Sequence, residues 1–158
     1  MSPAKVIENL CACRHVGANY LLNVGPTATG AIPVYEGAVL RRVGDWVRLH
    51  ERAIYEAKPC SVEAANRDFT LRDGSKLYYF AHDLAAQGIS HVTTGGGGVG
   101  PRPLRGLDLP IRDAHWIDSG EELNFAANPE NGLAVLNCTG YPYGSNLVVR
   151  VAELTLDD

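Results

Sequence analysis

The chain lacks a long apolar run: no stretch approaches the roughly 18–20 residues of a membrane-spanning helix. It also lacks clustered positive charge. Lys and Arg number 14 against 18 Asp and Glu, giving a formal net charge of −4, and Arg41-Arg42 is the sole adjacent basic pair. That pair falls inside a helical pattern and reads as a solvated face. Neutralising phosphates needs a basic patch, so nucleic acid is excluded as the expected partner, as is a membrane. Cysteine is scarce. Cys11, Cys13, Cys60 and Cys138 form no zinc spacing and no disulfide framework, and they read as reduced side chains. A Cys60–Cys138 bridge stays open at this level. His82, His91 and His115 are dispersed, with no His-x-His or His-x-x-x-His pair, so no metal is expected. No Gly-x-Ser-x-Gly elbow is present, and no carboxylate pair can be placed at hydrolase separation. No signal-peptide pattern occupies residues 1–20, whose apolar positions are periodic rather than continuous.

What is present is ordinary for a globular chain of 158 residues: 46 % apolar and 20 % charged. Ser2-Pro3 is a helix start, since Ser accepts from free N–H groups and Pro fits the first helical position. Val6, Ile7, Leu10 and Cys11 recur at helical spacing, and Gly17 is a C-cap candidate. Tyr20-Leu21-Leu22-Asn23-Val24 is apolar at four of five positions without alternation, which reads as a strand buried on both faces. A loop, Gly25-Pro26-Thr27-Ala28-Thr29-Gly30, follows. A second helix is expected from Pro33 or Val34 to about Tyr55, with Val39, Val43, Trp46, Val47, His50 and Ile54 as its apolar stripe. His50 on that stripe reads as a packed core histidine.

Helix, strand, helix is an incomplete unit, because a single parallel strand has backbone groups to satisfy on both sides. The expectation is that residues 1–58 are the tail of a larger α/β domain. After Pro59 the helical spacing gives way to short strands. Phe69–Arg72 and Lys76–His82 flank the turn signal Asp73-Gly74. Further strands are expected at Ile89–Thr94, Arg105–Leu109, Ala114–Asp118, Glu122–Phe125, Leu133–Cys138 and Leu147–Leu156. A long loop is expected from Gly95 to Pro101 and a turn at Asn131-Gly132. Turns at this frequency suggest an antiparallel β-sandwich over residues 60–158. The fold class is therefore α+β.

Two motifs invite functional readings. Gly25-x4-Gly30 follows a strand and precedes a helix, but Ala31-Ile32 stand where a phosphate loop needs Lys and Ser or Thr, so nucleotide binding is excluded. Trp116, Tyr141 and Tyr143 could stack on a sugar ring if exposed together, although packing is the commoner use of such residues.

The run Tyr20-Leu21-Leu22-Asn23-Val24-Gly25-Pro26, then Gly30 and Ile32-Pro33, then Val43-Gly44-Asp45-Trp46 through Ala53-Ile54-Tyr55, resembles the C-terminal part of the α-L-fucosidases of glycoside hydrolase family 29. That family reads roughly L-L-L-N-x-G-P, x-x-x-G-x-I-P and G-x-W-L-x-x-N-G-E-A-I-Y. The chain departs at His50-Glu51-Arg52, where the pattern has Asn-Gly-Glu. Beyond Pro59 the rhythm of Phe69-Thr70, Leu77-Tyr78 and Gly106-Leu107 is similar to the family's C-terminal sandwich. The resemblance implies that residues 1–58 hold the seventh helix, last strand and closing helix of a (β/α) barrel. Active sites of such barrels lie at the C-terminal strand ends, so Asn23 and Gly25 would stand at the pocket rim. It implies a retaining hydrolase of fucosylated glycans, needing no cofactor, in which an Asp nucleophile and a separate carboxylic acid act. Both lie upstream in the family, and no residue here matches either. The chain alone is therefore expected to be inactive. Two partners are expected for Tyr20–Val24: a barrel fragment or a second copy. The alternative reading is a carbohydrate-binding or structural sandwich module without catalysis.

Overall fold

A computed structural model describes residues 1–87, 98–145 and 148–157. The expected strand Ile89–Thr94, and with it His91, lies outside them.

The first helix, α1 (Pro3–His15), begins as the sequence dictates: the Ser2 hydroxyl accepts from the Lys5 N–H at 3.2 Å, with Pro3 in the first turn. It ends where Gly17 adopts φ +72° and Ala18 N–H reaches back to the Cys13 carbonyl at 2.8 Å. Its buried face is Val6, Ile7 and Cys11. The single second helix expected from the stripe is two, α2 (Val34–Leu49) and α3 (Glu51–Tyr55). The break is His50, at φ −111°, ψ 27°. Its ring Nδ1 donates to the Trp46 carbonyl at 2.8 Å, and its N–H is shared between Trp46 and Val47 carbonyls. A side chain that competes for a helical carbonyl loosens the backbone ladder there.

Between α1 and α2 the chain departs from expectation. Tyr20–Val24 is extended but belongs to no sheet, and Leu21 is 85 % exposed. Every strand neighbour it would need is absent among the described residues, so its backbone stays unladdered.

The remainder is two packed sheets, and the α+β class holds. The first sheet has the order β1 (Lys58–Pro59), β3 (Phe69–Asp73), β4 (Lys76–His82), β11 (Val149–Leu156), β7 (Ile111–Trp116). The second is β2 (Glu63–Ala64), β6 (Gly100–Arg105), β9 (Leu133–Cys138), β8 (Phe125–Asn128). A two-residue parallel pair joins β5 (Ala86–Gln87) to β10 (Tyr141–Pro142). The expected hairpin forms with Asp73 opposite Lys76, which places the turn on Gly74-Ser75. Of the expected Gly95–Pro101 loop, residues 95–97 lie outside the described residues, and Gly100 and Pro101 already belong to β6. Pro101 and Pro103 are tolerated because β2 reaches only Leu104 and Arg105, leaving the first part of β6 as an edge. The Arg105–Leu109 strand is thus displaced upstream. Likewise Phe125–Asn128 replaces Glu122–Phe125, where Glu122 makes one isolated bridge to His115.

Burial explains the layers. On β9 every second residue is buried, Ala134, Leu136 and Cys138, as in a sheet with one dry face. On β4 and β11 nearly every residue is buried. Leu77, Tyr79, Ala81, Ala152 and Leu154 fill the space between the sheets with Leu104, Trp116 and Leu136. Tyr78, Phe80, Val149 and Val151 face the other way, against Ile7, Trp46, Ala53 and Ile54 of the helices. Each such buried side chain is worth about 1.5–3 kcal/mol, so the helical layer is a structural cover of the first sheet. Trp46 Nε1 donates to the Val149 carbonyl at 2.9 Å across this junction.

Candidate functional site

The residues singled out for the pocket rim, Asn23 and Gly25, lie on the exposed extended segment. Both line a hollow of about 280 Å³ together with Met1 and Val6 of the N-terminal region and Tyr35 and Glu36 of α2. Tyr20 anchors this segment: its hydroxyl accepts from Asn9 Nδ2 at 3.3 Å. The loop that follows closes on itself. Gly30 N–H donates to the Thr27 carbonyl at 2.9 Å, and Ala31 N–H donates to Thr27 Oγ1 at 3.1 Å. Those N–H groups are spent, which removes the phosphate-cradle reading on geometry as well as on sequence. Around the hollow, Leu21, Ile32, Val34 and Tyr35 expose 59–87 % of their surface. Apolar side chains at this density are the mark of a face built against something else.

The aromatic residues do not form a sugar platform. Trp116 is 0 % exposed, with its Nε1 donating to Thr139 Oγ1 at 2.8 Å and the Arg150 guanidinium 4.3 Å above its ring. Tyr143 is exposed, whereas Tyr141 is half-buried in the β5–β10 pair.

Two buried charge clusters went unseen in the sequence. Arg150 Nε donates to both Asp118 carboxylate oxygens at 3.0 and 3.1 Å, and its Nη1 donates to the Gly140 carbonyl at 2.8 Å. Asp68 accepts from Arg102 Nη1 at 2.6 Å, from the His82 N–H at 2.8 Å and from the Tyr79 hydroxyl. Burial, reinforced by the Arg67 charge, lowers the His82 imidazole below its ordinary value, and burial first and Asp68 second push the Tyr79 phenol up. Each cluster joins residues far apart in sequence, so no local pattern could announce it. Both read as structural, since every carboxylate in them already serves an arginine.

Nucleophiles are equally quiet. The four cysteines are free, and burial pushes the Cys11 and Cys138 thiols up to about 12, so neither offers a thiolate near neutrality. Among the described residues no group of three His, Cys, Asp or Glu could hold a metal. A hollow of about 490 Å³ lies between β7 and β8 and carries Arg112, Asp113, His115, Glu122 and Asn124 beside Phe125. His115 Nδ1 is 3.7 Å from Asp113 Oδ1.

Residues 1–52 match the model of the Alpha-L-fucosidase family. The tissue alpha-L-fucosidase of Homo sapiens is 39 % identical over 61 residues, which is 38 % of this chain and 13 % of that protein. The plasma alpha-L-fucosidase of Homo sapiens is 36 % identical over 136 residues, 83 % of this chain and 27 % of that protein. The solved alpha-L-fucosidase isoenzyme 1 from Paenibacillus thiaminolyticus superposes on all of this chain and 35 % of its own, with a TM-score of 0.75 at 29 % identity. The chain corresponds to the C-terminal part of an α-L-fucosidase of glycoside hydrolase family 29.

The fold of the Thermotoga maritima alpha-fucosidase agrees, with a TM-score of 0.68 over 98 % of this chain and 34 % of that one at 19 % identity. This fucosidase portion thus spans about a third or less of the relatives it matches. The motif run Tyr20 to Tyr55 lines the 280 Å³ hollow together with Met1 and Val6, and with α1 it covers the first sheet.

Proposed function

We propose that this chain supplies the closing helices, a pocket-rim segment and the C-terminal sandwich of a retaining α-L-fucosidase, and is itself without hydrolytic activity. The single observation that carries the reading is the superposition of the whole chain on about a third of the Paenibacillus enzyme. In this reading Asn23 and Gly25 stand at the rim of the substrate pocket. A carboxylate nucleophile and a carboxylic acid from the rest of the enzyme perform the two displacements on the fucoside. The chain also divides near residues 57–62, into a barrel tail over 1–58 and a sandwich over 60–158. The unladdered segment Tyr20–Val24 and the exposed side chains around it support a covering partner, either the remaining barrel or a second copy.

The test is hydrolysis of an aryl α-L-fucoside by the purified chain, with amide exchange at Tyr20–Val24 and oligomeric mass measured in parallel. The reading expects no release, and fast exchange at that segment in the monomer. Release of the aryl group by the chain alone would overturn it.

One observation favours a second reading, a carbohydrate-binding sandwich: the mixed polar groove beside Phe125. Saturable binding of a fucosylated oligosaccharide that is lost in Asn124→Ala, with the Asn23 rim unperturbed, would support it.

A further inference from the structure

The helices cover one face of the first sheet and the second sheet covers the other. No described element covers the outer face of the second sheet. Alternation along β9 sends Ala134, Leu136 and Cys138 inward, and Leu133, Val135 and Asn137 outward. The register fixes what stands beside them. Pro103 and Ala126 flank Val135, which makes an apolar row across three strands. The next row reads Glu63, Arg105, Leu133, Asn128 across all four. Every residue of both rows is exposed, Leu133 by 45 % and Val135 by 38 %. The outward positions of a sheet with one wet face are ordinarily polar, so an apolar row there marks a contact surface.

Its occupant follows from the layers and the chemistry. The rest of a larger enzyme is on the wrong side, because Tyr20, Leu22 and the helices pack beyond the first sheet, at the opposite end of the layer order. A sugar finds no platform, because neither row carries an aromatic ring and Phe125 of β8 packs inward. A second copy of the chain finds a match. Rotation by 180° about an axis along the strands, midway between β6 and β9, lays β6 of one copy over β9 of the other and β2 over β8. Strand directions stay aligned, as they do when sheets pack face to face. Val135 meets Pro103 of the other copy. Leu133 meets the aliphatic stem of Arg105 beside a hollow of about 210 Å³ between β2 and β6. That hollow holds several times the roughly 30 Å³ share of one water, room for an aliphatic side chain. Glu63 meets Asn128, and both are unspent. The Glu63 side chain makes no ion pair or hydrogen bond among the described residues, and the Asn128 side chain caps no helix. The Asn128 amide can donate to the Glu63 carboxylate. Each contact occurs twice, as a two-fold interface requires.

We propose that the outer face of the second sheet is a self-association surface, on which two copies of the chain pack face to face about this axis. Four strands about 4.8 Å apart and six residues long give a face of roughly 400 Å² per copy. That is about half of the ~800 Å² a side of a stable complex, so the dimer is weak, with a Kd on the order of 100 μM. The surface is separate from Tyr20–Val24 and does not depend on the fucosidase reading.

The test is sedimentation equilibrium of the full chain from about 5 to 500 μM, a range that brackets that Kd. The expected result is a monomer–dimer equilibrium. Val135→Lys replaces an exposed side chain, so circular dichroism should stay unchanged while association weakens at least about tenfold. Leu21→Lys should leave it as it is. Asn128→Asp sets two carboxylates face to face and should weaken association by roughly tenfold, and adding Glu63→Gln should restore it. A monomer across the whole range overturns the proposal, as does a dimer that survives Val135→Lys. Loss of the dimer in Leu21→Lys alone would assign the contact to the Tyr20–Val24 segment and also refute this surface. An unweakened Asn128→Asp, or no rescue by Glu63→Gln, overturns the two-fold arrangement.

Discussion

His50 makes the chain acid-sensitive by an amount that can be worked from its surroundings. The side chain is 1 % exposed, and burial lowers its pKa from 6.5 to about 4, against smaller opposing effects from the Trp46 carbonyl and the Asp118 charge. Above pH 6.5 neither the folded nor the unfolded chain protonates it, and it costs nothing. Between pH 6.5 and 4 only the unfolded chain takes the proton, so stability falls as pH falls. Below pH 4 both states are protonated and the loss is complete. At 1.36 kcal/mol per pH unit the loss is about 3 kcal/mol, a large share of an ordinary domain's stability. The perturbation is His50→Asn, which removes the titration. Urea unfolding of both proteins at pH 7.5, 6, 5 and 4 is the assay. Contributions that do not involve His50 are common to both proteins and cancel in the difference. Wild type should lose about 3 kcal/mol relative to the variant between pH 7.5 and 4. A difference that stays constant over that range would refute the burial argument.

Three other substitutions or truncations test the architecture. Arg150→Met leaves the Asp118 carboxylate buried without its guanidinium, and should cost about 3–5 kcal/mol in urea unfolding. Gly98→Ala should destabilise by at least about 1 kcal/mol, since φ is +110° and a Cβ would sit 2.2 Å from the Asp83 carbonyl oxygen. Residues 60–158 expressed alone would uncover Phe69, Leu71, Tyr78, Phe80, Val149 and Val151, and should bind a hydrophobic dye or aggregate where the full chain does not. A soluble, dye-negative truncation would show that the helical layer is dispensable.

What the sequence made legible was local. Ser2-Pro3 marks the start of α1, the turn beside Asp73-Gly74 sets the first hairpin, and the strand expected at Leu133–Cys138 is β9. The α+β class follows from the change of periodicity at Pro59. His50 is packed, as its place on the apolar stripe suggested. What escaped was long-range. Arg150 sits in an alternating strand pattern that gives no hint of Asp118, 32 positions away. Arg102 lies between two prolines and outside every expected element, yet it is the partner of Asp68. Trp116 suggested a sugar platform until the structure buried it under that same Arg150. Tyr20–Val24 has the composition of a buried strand, but composition cannot supply the neighbouring strands. The rim residues Asn23 and Gly25 were chosen by resemblance.

The most direct measurement is aryl α-L-fucoside hydrolysis by the purified 158-residue chain. The account predicts no release above the uncatalysed rate, because the proposed reading assigns the nucleophile and acid to the rest of the enzyme. Release proportional to chain concentration, and abolished by substituting a carboxylate of this chain, would contradict it.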